Sequence, residues 1–125
     1  MAHSVERLRS PRDFERVWRD GRSHAHPLVV LIVCPQPGDR LSGRTRWGFV
    51  AGRRLGGAVA RNRAKRLLRA AAFQLAPAVA DNWDLVWVAR PPLVAASWAQ
   101  TLKAMEGLLR HAGVWKQCPT TNSSS

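Results

Sequence analysis

The spacing of apolar positions changes several times along the chain, and each change predicts an element. Phe14, Val17 and Trp18 recur at i, i+3 and i+4, one face of a helix, framed by Ser10-Pro11-Arg12-Asp13 before and Gly21 after. Serine as N-cap, proline at the first helical position and an acid in the first turn all suit a helix start, and glycine suits its stop. Leu28 to Cys34 is unbroken, β-branched and ends at Pro35, which predicts a buried strand. A Pro- and Gly-rich loop over 36–43 follows, then Thr45 to Ala51 as a returning antiparallel strand. Gly52 to Gly57 is a glycine-rich basic connection, and Ala58 to Leu75 a long helix that halts before Pro77.

Trp83 to Ala89 is a third apolar strand, terminated by Arg90-Pro91-Pro92. Ser97 then caps a last helix whose Trp98, Leu102, Met105 and Leu109 fall at i, i+4, i+7 and i+11, a core stripe ending near Gly113. The order α-β-β-α-β-α, without repeats or a dividing linker, predicts an α+β fold: a single-domain α/β sandwich over 1–125. Its ordered core covers about 7–115, and the tail 116–125, which lacks periodicity, is expected to be loose.

Composition narrows the partner. Twenty Lys+Arg against eight Asp+Glu give +12 on 125 residues, a field that favours a polyanion, either nucleic acid or an anionic membrane. The longest apolar run, Leu28 to Cys34, falls far short of the ~20 residues that span a bilayer, and the basic N-terminus has no apolar signal region. Cys34 and Cys118 match neither a zinc spacing nor a disulfide framework, which suggests a reducing cytoplasm. The four histidines are scattered and read as surface or loop residues, with no metal site.

The charge is also local. No acid lies between Asp39 and Asp81, and that gap holds ten of the twenty basic residues, +10 of the +12. Arg7, Arg9, Arg12, Arg16, Arg19 and Arg22 are interleaved with acids; they suit a solvated helix face and its lead-in, and a binding role for them stays open. On the long helix, Ala60, Ala64, Leu67, Leu68, Ala71 and Leu75 fall in an arc of roughly 100° that packs on the sheet. Arg61, Asn62, Lys65, Arg66 and Arg69 fall in a separate arc of roughly 140°, with Arg63 just beyond. Arg61/Lys65 and Lys65/Arg69 are like-charge i,i+4 pairs, a repulsion that a bound polyanion would remove. A merely basic solvated face competes with a phosphate-tracking one. The acid-free gap favours the second, as does Asn62, which can bond base edges or sugar hydroxyls. The glycines at 52, 56 and 57 allow close approach of an anion to the helix start, but match neither a P-loop nor a dinucleotide fingerprint.

The run from Gly48 to Arg69, with Arg61-Asn62-Arg63, then Lys65-Arg66, then Arg69, closely resembles the signature of the bacterial ribonuclease P protein component. The likeness extends to Asp13-Phe14 and Val17-Trp18 before Gly21, to the strand at 28–34 and to Val88-Ala89-Arg90-Pro91. The resemblance implies a ribosomal protein S5 domain 2-like sandwich with a left-handed β-α-β crossover. It implies ribonuclease P RNA and precursor tRNA as partners, no membrane and no small-molecule substrate. By the same resemblance Phe14, Trp18, Ile32, Arg61 and Asn62 would line a cleft for the 5′ leader, while Arg53, Arg54, Arg61, Asn62, Arg63, Lys65, Arg66 and Arg69 would bind RNA. The sequence departs at Ile32, where relatives often have an aromatic, at Gly57, often basic, and at Ala70, often acidic.

The eight acids are dispersed, so no carboxylate cluster, His pair or activated nucleophile supplies a nuclease site. The expectation is an endoribonuclease subunit with no catalytic residue of its own: the RNA partner holds Mg2+ and activates water, while this chain binds the substrate and promotes removal of the leader. A non-enzymatic basic RNA-binding or ribosome-associated module is the alternative.

Overall fold

The computed structural model describes residues 5–38 and 43–116. In chain order the elements are β1 (Glu6–Arg7), α1 (Pro11–Asp20), β2 (Arg22–Ala25), β3 (Val29–Pro35), β4 (Arg46–Val50), α2 (Ala58–Leu75), β5 (Trp83–Ala89) and α3 (Trp98–His111), with 3-10 turns at Arg53–Leu55, Ala76–Ala78 and Pro91–Ala95. The five strands form one sheet in the order β1-β4-β5-β3-β2. β4 runs parallel to both β1 and β5, whereas β3 is antiparallel to β5 and to β2. The β4–α2–β5 unit therefore joins two neighbouring parallel strands, the unit to which the resemblance assigns its left-handed crossover.

Alternation along the strands assigns each side chain to a layer. Val29, Leu31 and Val33 on β3, Trp47 on β4, and Leu85, Trp87 and Ala89 on β5 form one buried face with Ala64, Leu68, Ala71, Ala72 and Leu75 of α2 and Ala104, Met105, Leu108 and Leu109 of α3. Trp47 and Trp87 stack there with ring centroids 6.3 Å apart. The opposite face carries Ile32, Cys34 and Val86 and receives α1 through the fully buried Val17, with Phe14 packed alongside. At about 1.5 Å per residue, the ten-residue α1 spans about 15 Å and leaves part of that face open.

The helix ends follow the expected chemistry. Ser10 caps α1 through its hydroxyl, which accepts from the Arg12 N–H at 3.2 Å. At α3 a capping box forms, with Ser97 Oγ accepting from the Gln100 N–H and Gln100 Oε1 accepting from the Ser97 N–H.

Several expectations are corrected. The order α-β-β-α-β-α omits β1 and β2, two short edge strands with little apolar content. The strand over 45–51 does run opposite to the one over 28–34, yet the two do not pair, because β5 lies between β3 and β4. In the last helix, Trp98 is 41% exposed and is not core; Thr101, Ala104 and Leu108 join Met105 and Leu109 instead. Nor are the histidines all isolated, since His24 and His111 meet edge to face at 5.4 Å. Residues 117–125, which hold Cys118 and most of the expected loose tail, lie outside the described residues.

Candidate nucleic-acid interface

α2 begins after Gly56, whose φ of +121° favours glycine, and is capped by Gly57 with no side-chain bond. Its first turn holds no acid, so the unpaired N–H groups there face outward without an internal anion. Arg53 and Arg54 are exposed on the turn just before it. Along the helix Asn62, Arg66 and Arg69 are exposed, and Arg61, Arg63 and Lys65 are half-buried. None of these six makes an ion pair among the described residues. Arg61 Nε and Arg63 Nη1 are withdrawn from water and have no hydrogen-bond partner. A buried donor left unmatched costs about 1–3 kcal/mol, which an arriving acceptor would recover.

The five residues expected to line the leader cleft are not brought together: Trp18 and Ile32 share one groove, Phe14 borders another, and Arg61 and Asn62 line neither. Trp18 is 52% exposed although its neighbour Val17 is fully buried. It stands at the edge of a groove of about 380 Å³ that it lines with Gly21, Ser23, Val30, Ile32 and Val88. The floor is the part of the sheet that α1 leaves uncovered, and the wall is an indole, a combination suited to a stacked base. Phe14 instead lies over Gly48, where a Cβ would sit 2.8 Å from its ring. It borders a separate recess of about 150 Å³ shared with Lys65 and Arg69 of α2 and with Arg7 and Arg9.

Arg7 and Arg9 therefore stand beside the basic helix, joined to it by the pairing of β1 with β4 that the sequence reading missed. The available signal was the alternation Arg7-Leu8-Arg9 around the buried Leu8. A larger groove, about 780 Å³, opens on the α3 side between residues 25–28 and α3 and contains none of the predicted residues.

Two of the basic residues turn inward. Arg46 on β4, Asp84 on β5 and Cys34 on β3 are register partners across three adjacent strands. Asp84 is fully buried and receives a forked pair of bonds from Arg46, Nε to Oδ1 at 2.8 Å and Nη2 to Oδ2 at 2.6 Å. Arg16 of α1 also donates to Asp84, and to Cys34 Sγ and the Pro35 carbonyl at 3.1 Å each. Asp13 of α1 accepts from Arg46 at 3.1 Å, and Gln36 donates to Asp84 at 3.1 Å. Two of the dispersed acids thus come together, each already engaged by arginine, and Arg46 leaves the count of free cations. Its hydrogen bond to Asp84 raises a guanidinium pKa that is already high. Burial pushes the Cys34 thiol up, with Arg16 opposing. Burial also lowers the His24 pKa, helped by His111 and Arg22. Among the described residues no three His, Cys, Asp or Glu side chains gather as metal ligands.

A family model described as Ribonuclease P matches residues 3–113. The ribonuclease P protein component of Herpetosiphon aurantiacus is 41% identical over 110 residues, which cover 88% of this chain and 86% of the relative. That of Roseiflexus castenholzii is 42% identical over 109 residues, 86% of either chain. Among solved structures, the Staphylococcus aureus RNase P protein superposes with a TM-score of 0.77 at 26% identity, over 90% of this chain and all of the other. The Thermotoga maritima RNase P protein shares the fold, with a TM-score of 0.73 at 24% identity over 85% of this chain and 96% of the other.

Proposed function

Because the chain belongs to the ribonuclease P protein family, we propose that it works in tRNA 5′ maturation by binding ribonuclease P RNA and the leader of precursor tRNA through two adjoining surfaces. The single observation that carries this reading is the acid-free face of α2, with six Arg, Lys and Asn side chains that make no ion pair among the described residues. Those side chains track RNA phosphates, together with Arg53 and Arg54. The groove beside Trp18 takes an unpaired base of the leader over Ile32, Val30 and Val88. Phe14, Lys65, Arg69, Arg7 and Arg9 bridge the two surfaces.

Catalysis belongs, in this reading, to the RNA. Asp13 and Asp84, the two carboxylates that share Arg46, are already engaged by arginine, which supports leaving the Mg2+ ions to the RNA. RNA phosphates would hold the ions, and the protein would lower the repulsion between catalyst and substrate backbones. Among the described residues no helix is long and apolar enough to cross a membrane, and we place the protein in the cytoplasm with its RNAs.

The test is reconstitution. Purified protein is added to a ribonuclease P RNA at low magnesium, and cleavage of a precursor tRNA is followed. Protein-dependent release of the leader is expected. RNA binding without any rescue of cleavage, with an RNA shown active at high magnesium, would favour the non-enzymatic RNA-binding module.

A further inference from the structure

The buried ion network lies under α1, the helix that carries Trp18, and its geometry relates to the groove. α1 rests on the sheet at two places. At its C-terminal end Gly21 is so close to β3 that a Cβ would lie 2.8 Å from Ile32 Cγ2 and 3.0 Å from the Val33 carbonyl oxygen. Towards its N-terminal end Phe14 packs over Gly48 of β4, where a Cβ would lie 2.8 Å from its ring, and the buried ions lie beside that seat. There Arg16 and Asp13 reach down to Asp84 and Arg46. Trp18 follows the buried Val17 on the same helix and lines the groove with Val30, Ile32 and Val88, so the height and tilt of α1 set how far the indole stands from them.

An apolar set of the same volume would often hold a helix to a sheet as well as buried ions do. The forked geometry adds direction. Arg46 grips both oxygens of Asp84, which fixes the carboxylate plane, and Arg16 meets that fixed carboxylate while also donating to the Pro35 carbonyl at 3.1 Å. An apolar contact tolerates sliding; this one does not.

We propose that Asp84 is a positioning residue for the leader groove: by holding Arg46 and Arg16 it sets where α1, and with it Trp18, stands over the sheet. The proposal rests on the reading of that groove as the leader site. Asp84 itself touches no substrate, and its influence runs through Trp18.

The experiment is a double-mutant cycle on the assembled protein–RNA complex, reading affinity for precursor tRNA with a long leader and for mature tRNA without one. Trp18→Ala removes a stacked base and is expected to weaken leader-bearing substrate about 5- to 150-fold, with little change for mature tRNA. Asp84→Asn should weaken leader-bearing substrate selectively in the same way, leave affinity for ribonuclease P RNA unchanged, and add little further loss on top of Trp18→Ala. Additive losses, or equal losses with both substrates, would overturn the positioning role. If Asp84→Asn fails to fold, Arg16→Lys, which keeps the charge but replaces the two guanidinium nitrogens that reach Asp84 and the Pro35 carbonyl by a single ammonium, is read by the same cycle. If Trp18→Ala shows no leader-dependent loss, the groove reading itself fails. If Trp18→Ala loses leader affinity while the network variants keep it, only the positioning role fails.

Discussion

Replacing Gly21 by alanine tests how α1 is seated, and Gly52 supplies an internal control. Gly21 has φ −79° and ψ 167°, and Gly52 has φ −83° and ψ 178°. Both are extended conformations open to any residue, so alanine at either site restricts the unfolded chain alike, worth about 0.4–1 kcal/mol of stabilisation. Only the surroundings differ. A Cβ at Gly52 meets nothing within 4 Å, whereas at Gly21 it would lie 2.5 Å from the Val17 carbonyl oxygen, besides its contacts with Ile32 and Val33. Two of those three neighbours are backbone oxygens, which cannot swing aside as a side chain can. The end of α1 must therefore lift, an overpacking cost of about 1–3 kcal/mol. With an unfolding entropy of about 2.1 cal/mol/K per residue, the 125 residues give about 0.26 kcal/mol/K. Since the unfolded-state gain cancels between the variants, Gly21→Ala should melt about 4–11 °C below Gly52→Ala in a thermal scan of the free protein. Equal melting temperatures would refute the close seating of α1 on β3.

Arg66→Ala should reduce the slope of log affinity against log salt for ribonuclease P RNA by about 0.7–0.9, the share of one phosphate contact; an unchanged slope returns Arg66 to solvent. His24 has a lowered pKa, so the fold prefers its neutral form while the unfolded chain takes up a proton as pH falls through about 6.5. Stability should therefore be greater above that range and decline below it. Urea midpoints between pH 7.5 and 5.5 should show a smaller decline in His24→Gln, and an equal decline would assign the effect elsewhere. The raised Cys34 pKa keeps the thiol protonated. In a Cys118→Ser background, iodoacetamide at pH 8 should label Cys34 far more slowly in the native protein than in urea, and comparable rates would contradict its burial.

The elements with strong patterns were legible from residues alone. α2 and β5 have the bounds read from periodicity, 58–75 and 83–89, because one helix face and one buried strand must be apolar throughout. β1 and β2 were not legible. Two and four residues of mostly polar composition leave no period, and what makes them strands is a neighbour's backbone. Periodicity likewise treats Phe14 and Trp18 as equals. Their difference, one ring pressed over Gly48 and one standing over a groove, arises from the length of α1 relative to the sheet. Arg46 and Asp84 carry no sequence signal of their pairing, since it exists only through strand register. The basic face of α2 was visible in advance because its signal is local: acids are missing from a long stretch.

The strand at the middle of the sheet is also the last one translated. β5 separates β4 from β3, so neither can complete its pairing until residues 83–89 have emerged from the ribosome. Until then the apolar segments at 29–35 and 46–50 have only the short polar edge strands β2 and β1 to pair with, and α2, already made, has no finished surface to dock against. The sheet is thus joined into one only when β5 enters between its two halves. A chain truncated before Trp83 would leave a strongly cationic helix beside two strands each unpaired along the edge that β5 should fill, a species prone to stick to any RNA and to its own copies.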